Sequence, residues 1–98
     1  MVEYAPKAIR QVDDLLQYYE DRQRDGAARA LLSALEAAER RIDEQPGAGL
    51  RAPRPYPQLA QAGRTWIKSG RYWIAYLAEP TPVIVGVFFE TANIPSRL

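Results

Sequence analysis

The sequence predicts an α+β fold in which an N-terminal helical hairpin packs on a small antiparallel β-sheet, in the order β-α-α-β-β-β. Apolar residues recur with helical spacing in the first half of the chain, whereas the second half carries three runs of β-branched and aromatic residues. With 98 residues, the chain is expected to form a single domain spanning residues 1–98.

The three predicted strands lie between Arg64 and Glu90, separated by turn signals at Ser69-Gly70 and at residues 79–82. The middle run alternates, which puts one set of side chains, Tyr72, Ile74 and Tyr76, opposite another set, Trp73, Ala75 and Leu77. The last run, 83–89, is apolar on both faces and is predicted to be a central strand. The apolar sheet face needs a cover, and we expect the N-terminal half to be the only one available.

The N-terminal half begins with a short predicted strand, Val2–Tyr4, after which Pro6 suits the first position of a helix. This helix has a predicted core stripe of Ala8, Ile9, Val12, Leu15, Leu16 and Tyr19. Residues 22–26 then read as the turn of a helical hairpin. The second helix has a narrow seam of Ala28, Leu31, Leu35, Ala38 and Ile42. It is predicted to stop near Gln45, because Pro46 disfavours helix in the residue before it.

Residues 46–63 form a long loop that is rich in proline and glycine. Long ordered loops in small domains are often functional, but closely spaced prolines equally suit a stiff crossover from helix to sheet. The tail that follows Glu90 has no helical periodicity, and we predict that it is extended, with Pro95 ending any strand pairing.

The amino-acid composition excludes several kinds of catalytic and metal-binding site. The chain contains no cysteine and no histidine, so thiolate and histidine-based mechanisms are excluded. Adjacent carboxylates on helices point in different directions, and no glycine-rich phosphate loop is present. We therefore expect no metal and no cofactor. No apolar run reaches the length of a membrane span and no signal sequence opens the chain, which predicts a soluble cytoplasmic protein without membrane contact.

Charge is unevenly distributed along the chain. Residues 1–45 carry seven basic and ten acidic side chains, a net −3, whereas residues 46–98 carry six and two, a net +4. The basic half contains a cluster of cationic and aromatic residues: Arg64, Trp66, Lys68, Arg71, Tyr72, Trp73 and Tyr76. Such a cluster suits a nucleic-acid backbone or an acidic protein partner. It is also compatible with a structural role, in which the aromatics are core and the cations protect a sheet edge.

The order of these features resembles the RelE/ParE superfamily of bacterial toxins from type II toxin–antitoxin systems. The resemblance rests on the Pro6-Lys7-Ala8 helix start, the helical hairpin, the run Gly70 to Tyr76, the Val/Phe strand and the Ile94-Pro95 tail. It covers nearly the whole chain. The fold that it implies is a small antiparallel sheet with an N-terminal helical hairpin packed on it.

The resemblance implies one of two activities. RelE-like members are ribosome-dependent mRNA endonucleases that use Lys, Arg and Tyr residues on the sheet and tail, whereas ParE-like members inhibit DNA gyrase. Lys68 matches a basic position of the RelE branch, but Phe89, Glu90 and Thr91 stand where that branch would have an arginine, and the tail has no tyrosine. Many relatives carry a histidine where Phe89 stands. We therefore expect a member of the ParE branch, which would be a non-enzymatic gyrase inhibitor that stabilises a plasmid or chromosome. The alternatives are a RelE-like endonuclease or a non-toxic antitoxin-binding module.

The same resemblance implies a cognate antitoxin, disordered in part when free, that folds along the toxin's groove and sheet edge. The basic sheet half predicts that this antitoxin segment is acidic. We assign target binding to Lys68, Arg71, Ile94 and Arg97, on a cationic rim around exposed aromatics. We assign antitoxin binding to Arg64, Trp66, Tyr72 and Trp73. No direct DNA binding is expected without the antitoxin.

Overall fold

The computed structural model describes residues 2–98, whose helices and strands follow the predicted order. Their bounds are β1 (Glu3–Tyr4), α1 (Pro6–Asp21), α2 (Asp25–Glu44), β2 (Arg64–Ser69), β3 (Tyr72–Leu77) and β4 (Val83–Phe89). Proline opens α1 as predicted, and α2 ends directly before the Gln45-Pro46 pair. Neither helix combines the length and apolarity needed to cross a bilayer, in the part of the chain that the structure describes.

The sheet has the strand order β1-β4-β3-β2, so β3 and β4 are the central strands. β2, β3 and β4 form the predicted antiparallel meander, whereas β1 pairs with β4 in parallel. The sheet is therefore mixed and not wholly antiparallel. Parallel neighbours require a long crossover, which the chain between β1 and β4 supplies. The Glu3 and Ala5 N–H groups fix this pairing by donating to the carbonyls of Pro82 and Ile84, at 3.2 and 2.8 Å.

The helical hairpin covers one face of the sheet, which we call the helix face. Leu35, from the predicted seam of α2, and Ile74 are both buried there, in a cluster to which Leu31, Ala38, Ile42, Tyr76, Ile84 and Val87 also belong. The predicted stripe of α1 is wrong at Ile9, which is 48% exposed. Its neighbour Ala8 points at the sheet instead, and successive residues on a helix point in different directions.

The opposite face, here the loop face, is also covered, by the proline-rich loop and the tail. Its buried cluster consists of Trp66, Trp73, Ala75, Phe88 and Ile94, with Tyr56 and Leu59 of the loop packed against it. The expectation that the N-terminal half is the only cover is therefore wrong. The tail is not extended, because Ile94–Arg97 forms a 3-10 turn that brings Ile94 back onto the sheet.

A β-bulge in β4 changes which of its side chains point to each face of the sheet. Tyr76 pairs with Ile84 and Ala75 pairs with Gly86, which leaves Val85 without a partner on β3. The extra residue places Ile84 and Val87 together on the helix face. At Gly86 a Cβ would lie 2.7 Å from Cε2 of Phe88, so this ring occupies the space that a larger residue would need.

The outer edge of β2 is partly closed by the chain itself. Leu50 of the loop forms an isolated bridge with Trp66, in which each backbone N–H donates to the other residue's carbonyl at 2.7 Å. Two residues further along β2, Nη1 of Arg41 donates to the carbonyl of Lys68 at 2.7 Å. Three of the backbone groups that a strand-like partner would use, the N–H and carbonyl of Trp66 and the carbonyl of Lys68, are therefore already paired.

Candidate functional site

An open groove of about 1050 Å³ runs between α1, the beginning of α2, the start of β3 and the end of β4. Its apolar wall includes Leu15 and Ala27 from the helices and Val87 and Phe89 from β4. Gln11 of α1 accepts a hydrogen bond from the Val87 N–H at 2.9 Å, which ties the helix to the strand beneath it. The groove is thus a shaped, partly apolar surface between the two secondary-structure layers.

Two tyrosine hydroxyls meet in this groove. Tyr19 of α1 and Tyr72 of β3 are both buried, and their Oη atoms share a hydrogen bond. Burial, reinforced by the hydrogen bond with Tyr19, raises the pKa of Tyr72 well above its ordinary value. The Tyr72 hydroxyl therefore stays protonated at neutral pH and acts as a neutral hydrogen-bonding group.

The charged residues along the groove are mainly basic. Arg24, Arg71 and Arg97 line it, against one acidic residue, Asp14. This local excess of positive charge contrasts with the net −3 of residues 1–45. An acidic, partly apolar partner is the complementary ligand for such a surface.

A second charged cluster lies where the β2–β3 hairpin meets the end of β4. Nε of Arg71 donates to Oε2 of Glu90 at 2.6 Å, and Nζ of Lys68 lies 3.6 Å from Oε1 of the same carboxylate. The hydrogen bond from Arg71, followed by the charge of Lys68, holds the pKa of Glu90 below its ordinary value. The same hydrogen bond raises the pKa of Arg71. One carboxylate thus partly neutralises two cations.

Trp73 lies beneath cations on the loop face. The guanidinium of Arg54 is 5.7 Å from its ring centre and Nζ of Lys68 is 5.6 Å from it. The indole is only 3% exposed. The expectation of exposed aromatics inside a cationic rim is therefore wrong, because the rings fill the loop-face core and the cations lie over them.

The four residues assigned to target binding are only partly brought together. Lys68 and Arg71 share Glu90, and Arg97 lines the same groove as Arg71. Ile94 is fully buried among Trp66, Trp73 and Phe88, so its side chain is not exposed to a target as expected. The physical reason is the 3-10 turn of the tail, which points this one apolar residue inward.

The four residues assigned to antitoxin binding are divided between the two faces of the sheet. Tyr72 lies in the groove on the helix face, whereas Trp66 and Trp73 are buried on the loop face. Arg64 is half-buried at the start of β2, with its Nε unpaired. These four side chains therefore do not form one contact surface, since neighbouring residues of a strand alternate between faces.

Sequence reasoning missed Tyr19, Arg24 and Glu90 as site residues. A signal was present for Tyr19, because a hydroxyl within a predicted core stripe needs a polar partner and Tyr72 lies on the inward side of a predicted strand. No comparable signal was available for Arg24. It lies in the turn between α1 and α2, where no sequence periodicity predicts which residues it will contact. Among residues 2–98, no three acidic, histidine or cysteine side chains converge as metal ligands would.

A search of curated proteins gives no match to this chain. A family model does match, and it covers residues 2–89, nearly the whole sequence and every helix and strand described above. The family is described as the ParE toxin of the type II toxin–antitoxin system parDE. The helical hairpin on a four-stranded sheet is the architecture that the resemblance implied. The chain belongs to the ParE toxin family.

Proposed function

We propose that this protein is the toxin of a type II toxin–antitoxin module, that it inhibits DNA gyrase, and that a cognate antitoxin neutralises it. The observation that carries the choice of target is the position of Glu90, which pairs with both Lys68 and Arg71. A nuclease of the RelE kind needs free cations there to stabilise the charge that develops on the scissile phosphate. A carboxylate at the same place opposes that chemistry.

The competing activity is ribosome-dependent mRNA cleavage. Lys68 favours it, because this residue matches a basic position of the nuclease branch and its side chain remains about one-third exposed. In that case Lys68 would stabilise the scissile phosphate. We rank this function second because the adjacent Glu90 would repel the phosphate, and because Phe89 has no group that transfers protons.

The groove is the proposed site of antitoxin binding. Its apolar wall and the cations Arg24, Arg71 and Arg97 suit an acidic amphipathic helix that folds as it docks. Strand addition to β2 is less favourable, because Leu50 and Arg41 already pair with that edge. This module would act in the cytoplasm and serve to stabilise a plasmid or chromosome. Without its antitoxin, the toxin is not expected to bind DNA directly.

The target can be tested with purified protein in two assays, gyrase supercoiling and mRNA cleavage on ribosomes. We expect wild type to inhibit supercoiling and to leave mRNA intact. Lys68→Ala, Arg71→Ala and Arg97→Ala should each weaken inhibition, whereas Arg10→Ala, an exposed change on α1, serves as the matched control. Arg97→Ala is preferable to truncating the tail, because truncation also removes the buried Ile94.

Each outcome of these assays has a definite meaning. Cleaved mRNA with unaffected gyrase would replace the proposed target by the ribosome. No effect in either assay, and no growth arrest when the toxin is expressed alone, would leave only an antitoxin-binding module. Full gyrase inhibition by all three cation variants, with wild-type melting curves, would remove Lys68, Arg71 and Arg97 from the target-binding surface.

The charge of the groove predicts how salt acts on antitoxin binding. Raising the salt concentration should slow association more than it speeds dissociation, because long-range attraction steers the encounter and is screened first. Stopped-flow mixing of the toxin with the antitoxin encoded beside its gene measures both rates. Equal association rates at low and high salt would contradict the electrostatic part of the proposal.

A further inference from the structure

The tyrosine pair in the groove has one hydrogen-bonding proton to spare. Each hydroxyl carries one proton, and a single hydrogen bond between Tyr19 and Tyr72 uses only one of the two. Among residues 2–98 neither Oη atom makes a second hydrogen bond. Both side chains are at least nine-tenths buried and both line the groove. A buried donor without an acceptor is costly unless a ligand or water supplies one.

Two guanidinium groups flank this pair. Arg71 follows the hairpin turn directly before Tyr72, and Arg24 lies with its guanidinium 5.8 Å from the ring centre of Tyr19. Both also line the groove. Glu90 occupies Nε of Arg71, which leaves its two Nη groups without a hydrogen-bond acceptor in the described chain. The Arg71 side chain is 70% exposed, so these Nη groups are accessible to a ligand.

We propose that Tyr19, Tyr72, Arg71 and Arg24 form a carboxylate-binding subsite at the helix-hairpin end of the groove, which receives one Asp or Glu side chain of the antitoxin. The proposal rests on the proposed function in one respect, that the antitoxin occupies this groove. It places a specific polar contact beside the apolar wall of the groove, and such a contact fixes the register of a docked helix.

The charges around the subsite favour a carboxylate over a phosphate group. Arg24 and Arg71 supply two positive charges, and the spare hydroxyl proton adds a neutral donor. Glu90 contacts Arg71 directly and Asp14 lines the same groove. These two carboxylates are compatible with a singly charged ligand but repel a phosphate, which carries close to two negative charges at neutral pH.

The test uses a small probe, so that it does not depend on the antitoxin. N-acetylglutamate N-methylamide is titrated into the full-length protein with labelled tyrosine rings, and the NMR shifts of Tyr19 and Tyr72 are followed. The glutamine analogue has the same shape without the charge. We expect saturable shifts with the glutamate compound only. Tyr19→Phe/Tyr72→Phe and Arg71→Gln should each weaken binding about tenfold, the effect of losing a hydrogen bond to a charged group. Because the double variant lacks both tyrosine signals, its binding is followed through the backbone amide shifts of the groove residues, which are recorded for wild type as well.

Matched controls lie outside the groove. Tyr56→Phe removes a hydroxyl on the loop face, and Arg10→Gln removes an exposed cation of α1; both should bind the probe as wild type does. Thermal melting checks each fold. If the double phenylalanine variant does not fold, binding of the glutamate compound to the exposed Arg71→Gln variant is the deciding measurement for the subsite. Equal binding of the glutamine compound, or unchanged binding in Arg71→Gln, would overturn the subsite.

The subsite and the proposed function can fail separately. If the glutamate compound binds as expected but the antitoxin leaves the Tyr19 and Tyr72 signals unchanged, the carboxylate site is real and the antitoxin lies elsewhere. If the antitoxin shifts these signals but the glutamate compound does not, the groove is the antitoxin site and the carboxylate subsite is refuted.

Discussion

The two faces of the sheet are covered in different ways. On the helix face, two amphipathic helices present regularly spaced apolar residues to the inward side chains of β3 and β4. On the loop face, Tyr56 and Leu59 of an irregular loop and Ile94 of a short tail cover both tryptophans of the chain. A cover with regular apolar spacing can be recognised from the sequence, whereas an irregular cover is known only once the chain has folded back onto the sheet.

Replacing a buried residue should reduce stability most on the helix face. Leu35→Ala and Ile74→Ala should each lower the free energy of unfolding by about 2–5 kcal/mol, because each leaves a cavity in a packed core. Both side chains are buried in the helix-face cluster. Urea denaturation followed by circular dichroism measures the loss. Unchanged midpoints in both variants would contradict the packing of the hairpin on the sheet.

A smaller loss is expected on the loop face. Ile94→Ala should lower the free energy of unfolding by about 2 kcal/mol. This is the lower end of the range for truncating a buried isoleucine, because a chain terminus can relax into the space left behind. Trp66 and Trp73 both contact this cluster, so the tryptophan fluorescence should shift to the red in Ile94→Ala. Conservative Ile94→Val is the control. A native emission spectrum in Ile94→Ala would show that the tail is not needed to cover the tryptophans.

The smallest effect is expected at the charged end of the sheet. The pKa of Glu90 is lowered from its ordinary value of 4.5, chiefly by the hydrogen bond from Arg71. A lowered pKa in the folded state stabilises the fold above the ordinary value, and this contribution is lost as pH falls through the lowered pKa. Glu90→Gln should therefore reduce the difference in stability between pH 7 and the acid range.

Measuring unfolding of wild type and Glu90→Gln at several pH values checks this sign. Glu79→Gln is a suitable control, because Glu79 is an exposed acidic residue in the β3–β4 turn. Identical pH profiles for Glu90→Gln and wild type would mean that the ion pair contributes nothing measurable, as many exposed pairs do.

The sequence was sufficient to predict the helical hairpin, the meander and the central position of β4, because hydrophobic spacing and turn residues determine these features locally. The parallel pairing of β1 is set by where the chain returns in space, which two residues cannot signal. The site residues were harder to predict for the same reason. Lys68 and Arg71 are close in sequence, but their shared partner Glu90 comes from another strand.

The bridge between Leu50 and Trp66 has a consequence for binding kinetics. A partner that extended the sheet along β2 would have to wait for the loop to release this edge, a unimolecular step. Its observed rate would level off as partner concentration rises, whatever its final affinity. A partner that docks in the groove does not need this release, so the opening of the loop sets no upper limit on its rate. A plateau set by release of the Leu50 bridge would therefore mark a partner that approaches along β2.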